Sequence, residues 1–145
     1  MERRMINFAA MLLAGLVVWL LTRGMMSSEE VPCALMLKKA FQACQIYAIE
    51  NDERFPDAEH WMTRIQPQQP IPLRCNRVEE GVGYAFNDNY SAQPIPSSGD
   101  TAGTLIFDST KLGRNEHDVL ESLPKPGRHS GSNNLIHTDG SLETR

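Results

Sequence analysis

Histidine and aspartate residues near the C-terminus are the side chains of this chain that could bind a metal ion. His129 is followed by nine residues and then by Asp139 and Gly140, while His137 precedes Asp139 by two positions. Residues two apart share one face of a strand, so His137 and Asp139 could act together. Calcium, however, takes about six or more oxygen ligands, and zinc takes about three or four well-placed protein ligands. The sequence therefore predicts no metal and no cofactor, and it assigns His129, Asp139 and Gly140 a structural role in a turn.

Catalytic motifs are not recognisable in the sequence. It contains no G-x-S-x-G, no H-E-x-x-H and no phosphate-binding glycine loop. Arg128-His129-Ser130 places a hydroxyl beside a possible base, but adjacent side chains seldom point at a common atom. The net charge is -4 and the charged residues are interleaved, so no basic patch suits a nucleic acid. We therefore expect neither an enzyme nor a nucleic-acid partner.

An apolar segment near the N-terminus predicts a membrane anchor. Residues 5–22 carry no charge, and a helix of that length spans about 27 Å, close to the thickness of a hydrocarbon core. Arg3 and Arg4 precede the segment, whereas Glu29 and Glu30 follow it, which places the N-terminus in the cytoplasm. The sequence thus predicts a single-pass inner-membrane protein, with an anchor over residues 1–26 and a periplasmic domain over residues 27–145.

Three cysteines bear on the redox chemistry of such an exported domain, because disulfides persist in oxidising compartments. Cys33 and Cys44 are eleven residues apart on one predicted helix. That separation is about 16 Å along the helix, and a disulfide needs Cα atoms about 4.4–6.8 Å apart. Any bridge must therefore use Cys75, with either Cys33 or Cys44, and three free thiols are the remaining alternative. Cys44 lies on the apolar stripe of the helix, where it would pack as a small hydrophobic residue.

A long amphipathic helix is the first element that would position these residues. Ser27 and Glu30 fit a capping box, and the pattern continues to about Asn51. One stripe collects the apolar residues Ala34, Leu37, Phe41, Cys44 and Ala48. A short helix with Trp61 and Ile65 on one face should follow.

Short strands are expected in the second half of the chain. Residues 83–87 and 104–108 have the composition of strands, whereas residues 111–125 have that of a polar surface loop. Two further strands, 134–137 and 141–143, should form a hairpin joined by a two-residue Asp139-Gly140 turn, with Leu135 and Leu142 pointing at the long helix. The predicted fold class is α+β: a transmembrane helix, then an amphipathic helix packed on a small antiparallel sheet.

The order of these features resembles the pilin- and pseudopilin-like proteins that carry a prepilin-type H-X9-DG domain. The resemblance covers residues 27–143 and depends on the series Tyr47–Pro56, Trp61, Cys75, Gly83–Asn87, Asp108 and Arg128–Ser141. The prepilin peptidase site of that family is not recognisable in residues 1–24, so we expect the N-terminal segment to be retained. The resemblance implies that Cys33 and Cys75, which stand where cysteines recur in the family, form the disulfide.

The resemblance also implies a function. The chain would be a membrane-anchored structural or accessory component of a type II secretion or type IV pilus-like system. Its partners would be the inner membrane and other pilin-like or secretion-system proteins. The alternative is a free-standing anchored module that binds a peptide, a glycan or a metal ion outside the cytoplasm.

Overall fold

A long helix is the first element that the computed structural model describes. The described residues are 32–69, 72–97 and 99–145. Helix α1 (Cys33–Glu50) begins after Pro32, whose carbonyl accepts hydrogen bonds from the N–H groups of Leu35 and Met36. It ends where Asp52 and Glu53 adopt positive φ. The predicted capping box at Ser27 and Glu30 lies outside the described residues.

The buried side of α1 is wider than the predicted apolar stripe. Leu37, Phe41, Cys44 and Ala48 are buried as expected, whereas Ala34 is only partly buried. Cys33 and Ala40, at the edge of the stripe, are also buried, and the stripe missed the buried residues Met36 and Ala43. After α1, a 3-10 turn (Ala58–His60) leads into α2 (Trp61–Ile65), and its Trp61 and Ile65 are fully buried as predicted.

A five-stranded sheet provides the second layer. Its strands are β1 (Tyr84–Asn87), β2 (Thr104–Asp108), β3 (His117–Asp118), β4 (Asn134–His137) and β5 (Leu142–Thr144), in the spatial order β3-β1-β2-β4-β5. β3 runs parallel to β1, and the other pairs are antiparallel. The sheet is therefore mixed, and the segment 111–125 that was predicted as loop contributes its edge strand β3.

The sheet has a hydrophobic cluster on each face. The larger cluster joins α1 and α2 to sheet residues such as Phe86 and Ile136, with Leu142 packed against it. The smaller one contains Ala85, Phe107 and Leu135. The prediction that Leu135 points at the long helix is therefore wrong: Ile136, its neighbour in β4, occupies that side.

The structure also corrects the membrane prediction. None of the helices described by the structure is both long and apolar enough to span a bilayer. α1 has 18 residues, but it carries Lys38, Lys39 and Glu50, and charged side chains in a bilayer are costly. The predicted anchor, residues 5–22, lies outside the described residues. The transmembrane helix in the predicted fold class and the single-pass inner-membrane localisation are thus contradicted, and only the α+β content of that class stands.

Candidate functional site

Two cysteines and a histidine meet at one end of the larger cluster. Cys33 is the first residue of α1, Cys75 lies between α2 and β1, and His129 lies between β3 and β4. The two Sγ atoms are 2.9 Å apart, and Nε2 of His129 is 3.7 Å from Sγ of Cys75. All three atoms lie within 4.8 Å of one another. Chain segments that are far apart in sequence thus present three possible ligand atoms to one point.

Tight backbone turns hold Cys75 and His129 in place. The N–H of Cys75 donates to the carbonyl of Val82 at 2.9 Å, and its carbonyl accepts from Val78. His129 and Ser132 exchange both backbone hydrogen bonds, and the residues between them, Ser130 and Gly131, have φ of 56° and 95°. Positive φ at both central residues is typical of a type I′ turn. The turn fixes the position from which the side chain of His129 extends.

A buried carboxylate adjoins the histidine. Asp108, the last residue of β2, is fully buried, and its Oδ2 lies 3.1 Å from Nε2 of His129. The same oxygen accepts a 2.7 Å hydrogen bond from the N–H of Asn134. Oδ1 has no hydrogen-bond partner, and the nearest cationic group to it is Nη1 of Arg128 at 3.9 Å. Burial raises the pKa of Asp108 above its ordinary value.

The two thiols have opposite acidities because they share a hydrogen bond. Cys75 hydrogen-bonds to Cys33, which lowers the pKa of the Cys33 thiol to about 5 and raises that of Cys75 well above its usual range. A backbone hydrogen bond from Asn76 also favours the Cys33 thiolate, and one from Arg77 favours that of Cys75. These shifts favour the thiolate at Cys33 and the thiol at Cys75. Oδ1 of Asn76 also lies 2.9 Å from Sγ of Cys33, where it accepts from that sulfur when it is protonated.

The metal candidates named from sequence are not brought together. His137 Nε2 is 2.9 Å from Oε2 of Glu143, and Asp139 Oδ1 accepts from the N–H and hydroxyl of Ser141 at 2.8 and 2.6 Å. Among the described residues, the potential ligands that share one point with His129 are the two cysteines. Sequence reasoning missed Asp108 as a member of this cluster. A signal existed, since an acidic residue directly follows the apolar run 105–107.

Burial limits the chemistry of the cluster. Cys33 is 4% exposed and Cys75 is 0% exposed, so a bulky substrate cannot reach either sulfur. The cluster can bind a soft metal ion or form a disulfide, because neither reaction needs a bulky group at the sulfurs. Cys44 is also buried, but it does not belong to this group of possible ligands.

A second feature lies on the solvent side of α1. Leu35, Ile46 and Ile49 are 43%, 45% and 79% exposed. Ile46, Ile49 and Ile95 line a shallow groove together with Gln42 and Gln45. This is an apolar surface on a helix whose opposite side is buried. No protein-family model, no curated protein and no solved structure matches the chain.

Proposed function

We propose that the chain is a pilin-like structural or accessory component of a type II secretion or type IV pilus-like assembly, and that it associates with further copies of itself through the exposed side of α1. The observation that carries this proposal is the set of exposed apolar side chains on α1. The ordered motif series from Tyr47 to Ser141 supports the pilin-like part of it.

Spacing supports helix-to-helix packing. The positions 35, 39, 42, 46 and 49 alternate in steps of four and three residues, which is the spacing of a seam between two helices. All are exposed except Lys39, which is partly buried. We call these five residues the outer seam. Leu35, Ile46 and Ile49 are its apolar members, and Lys39 and Gln42 lie between them. A neighbouring helix of the same kind would cover both apolar ends at once.

Burial of the exposed apolar side chains of α1 in a contact between copies would be energetically favourable. An isoleucine side chain that becomes fully buried contributes about 1.5–3 kcal/mol. Each 1.4 kcal/mol is about a tenfold change in a dissociation constant. Since Ile49 is 79% exposed, most of its side chain is available for a contact between copies. The burial of the thiol cluster, which shields it from bulky substrates, also favours a structural protein over an enzyme.

The test measures self-association of the purified full-length chain by sedimentation over a range of concentrations. Ile46→Ser with Ile49→Ser is expected to raise the dissociation constant at least about tenfold. Leu112→Ser with Val119→Ser is the matched control, because these side chains are 42% and 46% exposed on another surface. The control variant should associate like the wild type. A chain that stays monomeric throughout, or equal effects of both double variants, would refute the proposal and favour a free-standing binding module.

A further inference from the structure

We propose that Cys33, Cys75 and His129 bind one thiophilic divalent metal ion, with zinc as the reference ion, and that the carboxylate of Asp108 completes the site. The inference is independent of the proposed self-association. It concerns a different set of atoms, at the buried side of α1. It also replaces the earlier ligand candidates His137 and Asp139 while retaining His129.

The observed distances are close to those of a tetrahedral site. With zinc bonds of about 2.3 Å to sulfur and 2.0 Å to nitrogen, a sulfur and a nitrogen ligand lie about 3.6 Å apart. Sγ of Cys75 and Nε2 of His129 are 3.7 Å apart. A nitrogen and an oxygen ligand would lie about 3.4 Å apart, and Nε2 of His129 is 3.1 Å from Oδ2 of Asp108. Both separations are close to the values of a zinc site. The carboxylate oxygens of Asp108 do not lie within 4.8 Å of all three other ligand atoms, so Asp108 has to move toward the sulfurs to bind the ion.

The two sulfurs require one adjustment. Two thiolates on a tetrahedral zinc lie about 3.8 Å apart, whereas the Sγ atoms of Cys33 and Cys75 are 2.9 Å apart and share a hydrogen bond. Replacing the shared proton by a metal ion removes that bond and moves the sulfurs apart. Cys33 is the first residue of α1, so rotation of its side chain is the movement that the site requires.

The buried carboxylate of Asp108 favours a bound cation over a pair of thiols without a metal ion. Its carboxylate is fully buried, and Oδ1 has no hydrogen-bond partner. A buried carboxylate is costly unless other groups offset its charge. Asn134, His129 and Arg128 do so in part, and a metal ion would add to them. Two thiolates and one carboxylate carry three negative charges. A divalent ion with the Arg128 guanidinium, 3.9 Å from Oδ1, balances them.

Neighbouring groups would orient the ligands. Backbone N–H groups of Asn76 and Arg77 donate to the sulfurs, and the N–H of Asn134 donates to Asp108. Such second contacts fix ligand orientation in metal sites. The ligands come from the start of α1, the loop before β1, the end of β2 and the turn after Arg128. The ion would therefore join four separate segments, which is the role of a structural zinc site.

The test loads the reduced full-length chain with zinc alone and measures bound metal by elemental analysis and by competition with a chromophoric chelator. We expect one ion per chain. Cys33→Ser, Cys75→Ser and His129→Gln should each raise the dissociation constant about a hundredfold or more, because each removes a direct ligand. Cys44→Ser and His137→Gln are the matched controls and should bind like the wild type.

A second measurement needs no variant and so does not depend on whether a variant folds. Cobalt loaded into the wild-type chain should show thiolate-to-metal charge transfer and the strong d–d absorption of a tetrahedral site. X-ray absorption of the zinc form should give about two sulfur and two nitrogen or oxygen ligands. Failure of the reduced wild type to bind zinc would overturn the proposal. An octahedral spectrum without sulfur ligands, or an equal loss in the Cys44→Ser control, would do the same.

Discussion

Gly140 lies against the ring of Phe41, so that the turn between β4 and β5 contacts the middle of α1 directly. A Cβ atom placed on Gly140 would come within 2.6 Å of Cε1 of Phe41. Gly140 also has φ of 81°, in the left-handed region that favours glycine. Gly140, the last residue of the H-x9-D-G segment, therefore contacts the helix. Two separate constraints require glycine there: the closeness of Phe41 and the positive φ.

The first prediction separates those two constraints. Gly140→Ala and Gly140→Val should both lower the free energy of unfolding, because each adds strain at positive φ and a clash with Phe41. Gly131→Ala is the control, since Gly131 has φ of 95° but open space around the added atom. The control should lose about 1–2 kcal/mol from backbone strain alone, and Gly140→Ala should lose more. Urea denaturation measures both; equal losses would show that the Phe41 contact is unimportant.

The same turn explains why the predicted register was wrong. A two-residue Asp139-Gly140 turn would put Leu135 and Leu142 on one face. The observed loop has three residues: His137 donates to the carbonyl of Ser141, and Gly140 donates to that of His137. The extra residue, Thr138, shifts the pairing so that Ile136 lies opposite Leu142. Side chains alternate along a strand, so one added residue exchanges the faces.

The second prediction tests this register by coupling. Ile136→Ala and Leu142→Ala should show an interaction energy of about 0.5 kcal/mol or more in a double-mutant cycle, because the two residues are paired on one face. Leu135→Ala and Leu142→Ala should be additive, since Leu135 packs in the other cluster. Chemical denaturation of the three single and two double variants gives both cycles. An interaction energy between Leu135 and Leu142 would contradict this register and support the predicted two-residue turn.

Features that depend on neighbouring residues could be predicted from the sequence, whereas features that depend on contacts between distant segments could not. The period of apolar residues in α1 and the strands at Tyr84–Asn87 and Thr104–Asp108 are local properties, and the sequence indicated them. The parallel edge strand β3 has two residues, His117 and Asp118, with no pattern of its own. It exists because β1 offers a free edge. The meeting of Asp108 with His129 likewise depends on tertiary packing, which no local spacing encodes.

A third prediction concerns the side chain of Arg128. Its Nη1 donates to the carbonyl of Gly83 at 2.8 Å, and its Nη2 donates to that of Ser109, so one guanidinium joins two loops. Arg128→Lys should cost about 1–3 kcal/mol, because an ammonium group cannot make both bonds in the same geometry. The control is Arg64→Lys, whose side chain is 53% exposed in its pair with Asp57. It should change stability by less than about 0.5 kcal/mol, and a comparable loss there would contradict the prediction.

The fourth prediction concerns alkaline pH. Burial raises the pKa of Cys44 above its ordinary value of 9.0. Above pH 9 the unfolded chain ionises Cys44 while the folded chain keeps it protonated, so the folded state binds more protons and stability falls as pH rises. The slope is about 1.4 kcal/mol per pH unit for each such group. Under reducing, metal-free conditions, the free energy of unfolding of Cys44→Ala should therefore fall less steeply with pH above pH 9 than that of the wild type. A parallel pH dependence for the variant and the wild type would contradict the prediction.

Oxidation provides the last prediction, and it concerns the disulfide that the family resemblance implies. Cys33 and Cys75 need only approach by about 0.9 Å to reach the bond length of a disulfide, given their 2.9 Å separation. Thiolates react with peroxide faster than thiols, and the hydrogen bond with Cys75 lowers the pKa of Cys33 to about 5. Cys33 should therefore be oxidised first and then attacked by Cys75. One peroxide takes two electrons from the pair and leaves as two waters.

Peptide mapping after differential alkylation measures the outcome of that reaction. Peroxide treatment of the metal-free chain should link Cys33 to Cys75, while Cys44 should stay a thiol that alkylates only after denaturation, since it is fully buried. Zinc should slow the reaction, because a metal ion bound to both sulfurs occupies the lone pairs that attack peroxide. Cys75→Ser is the control: without its partner, Cys33 should end as a sulfenic acid or, with more peroxide, a sulfinic acid. A link between Cys44 and Cys75 would contradict the pairing, and equal rates with and without zinc would argue against metal binding at these sulfurs.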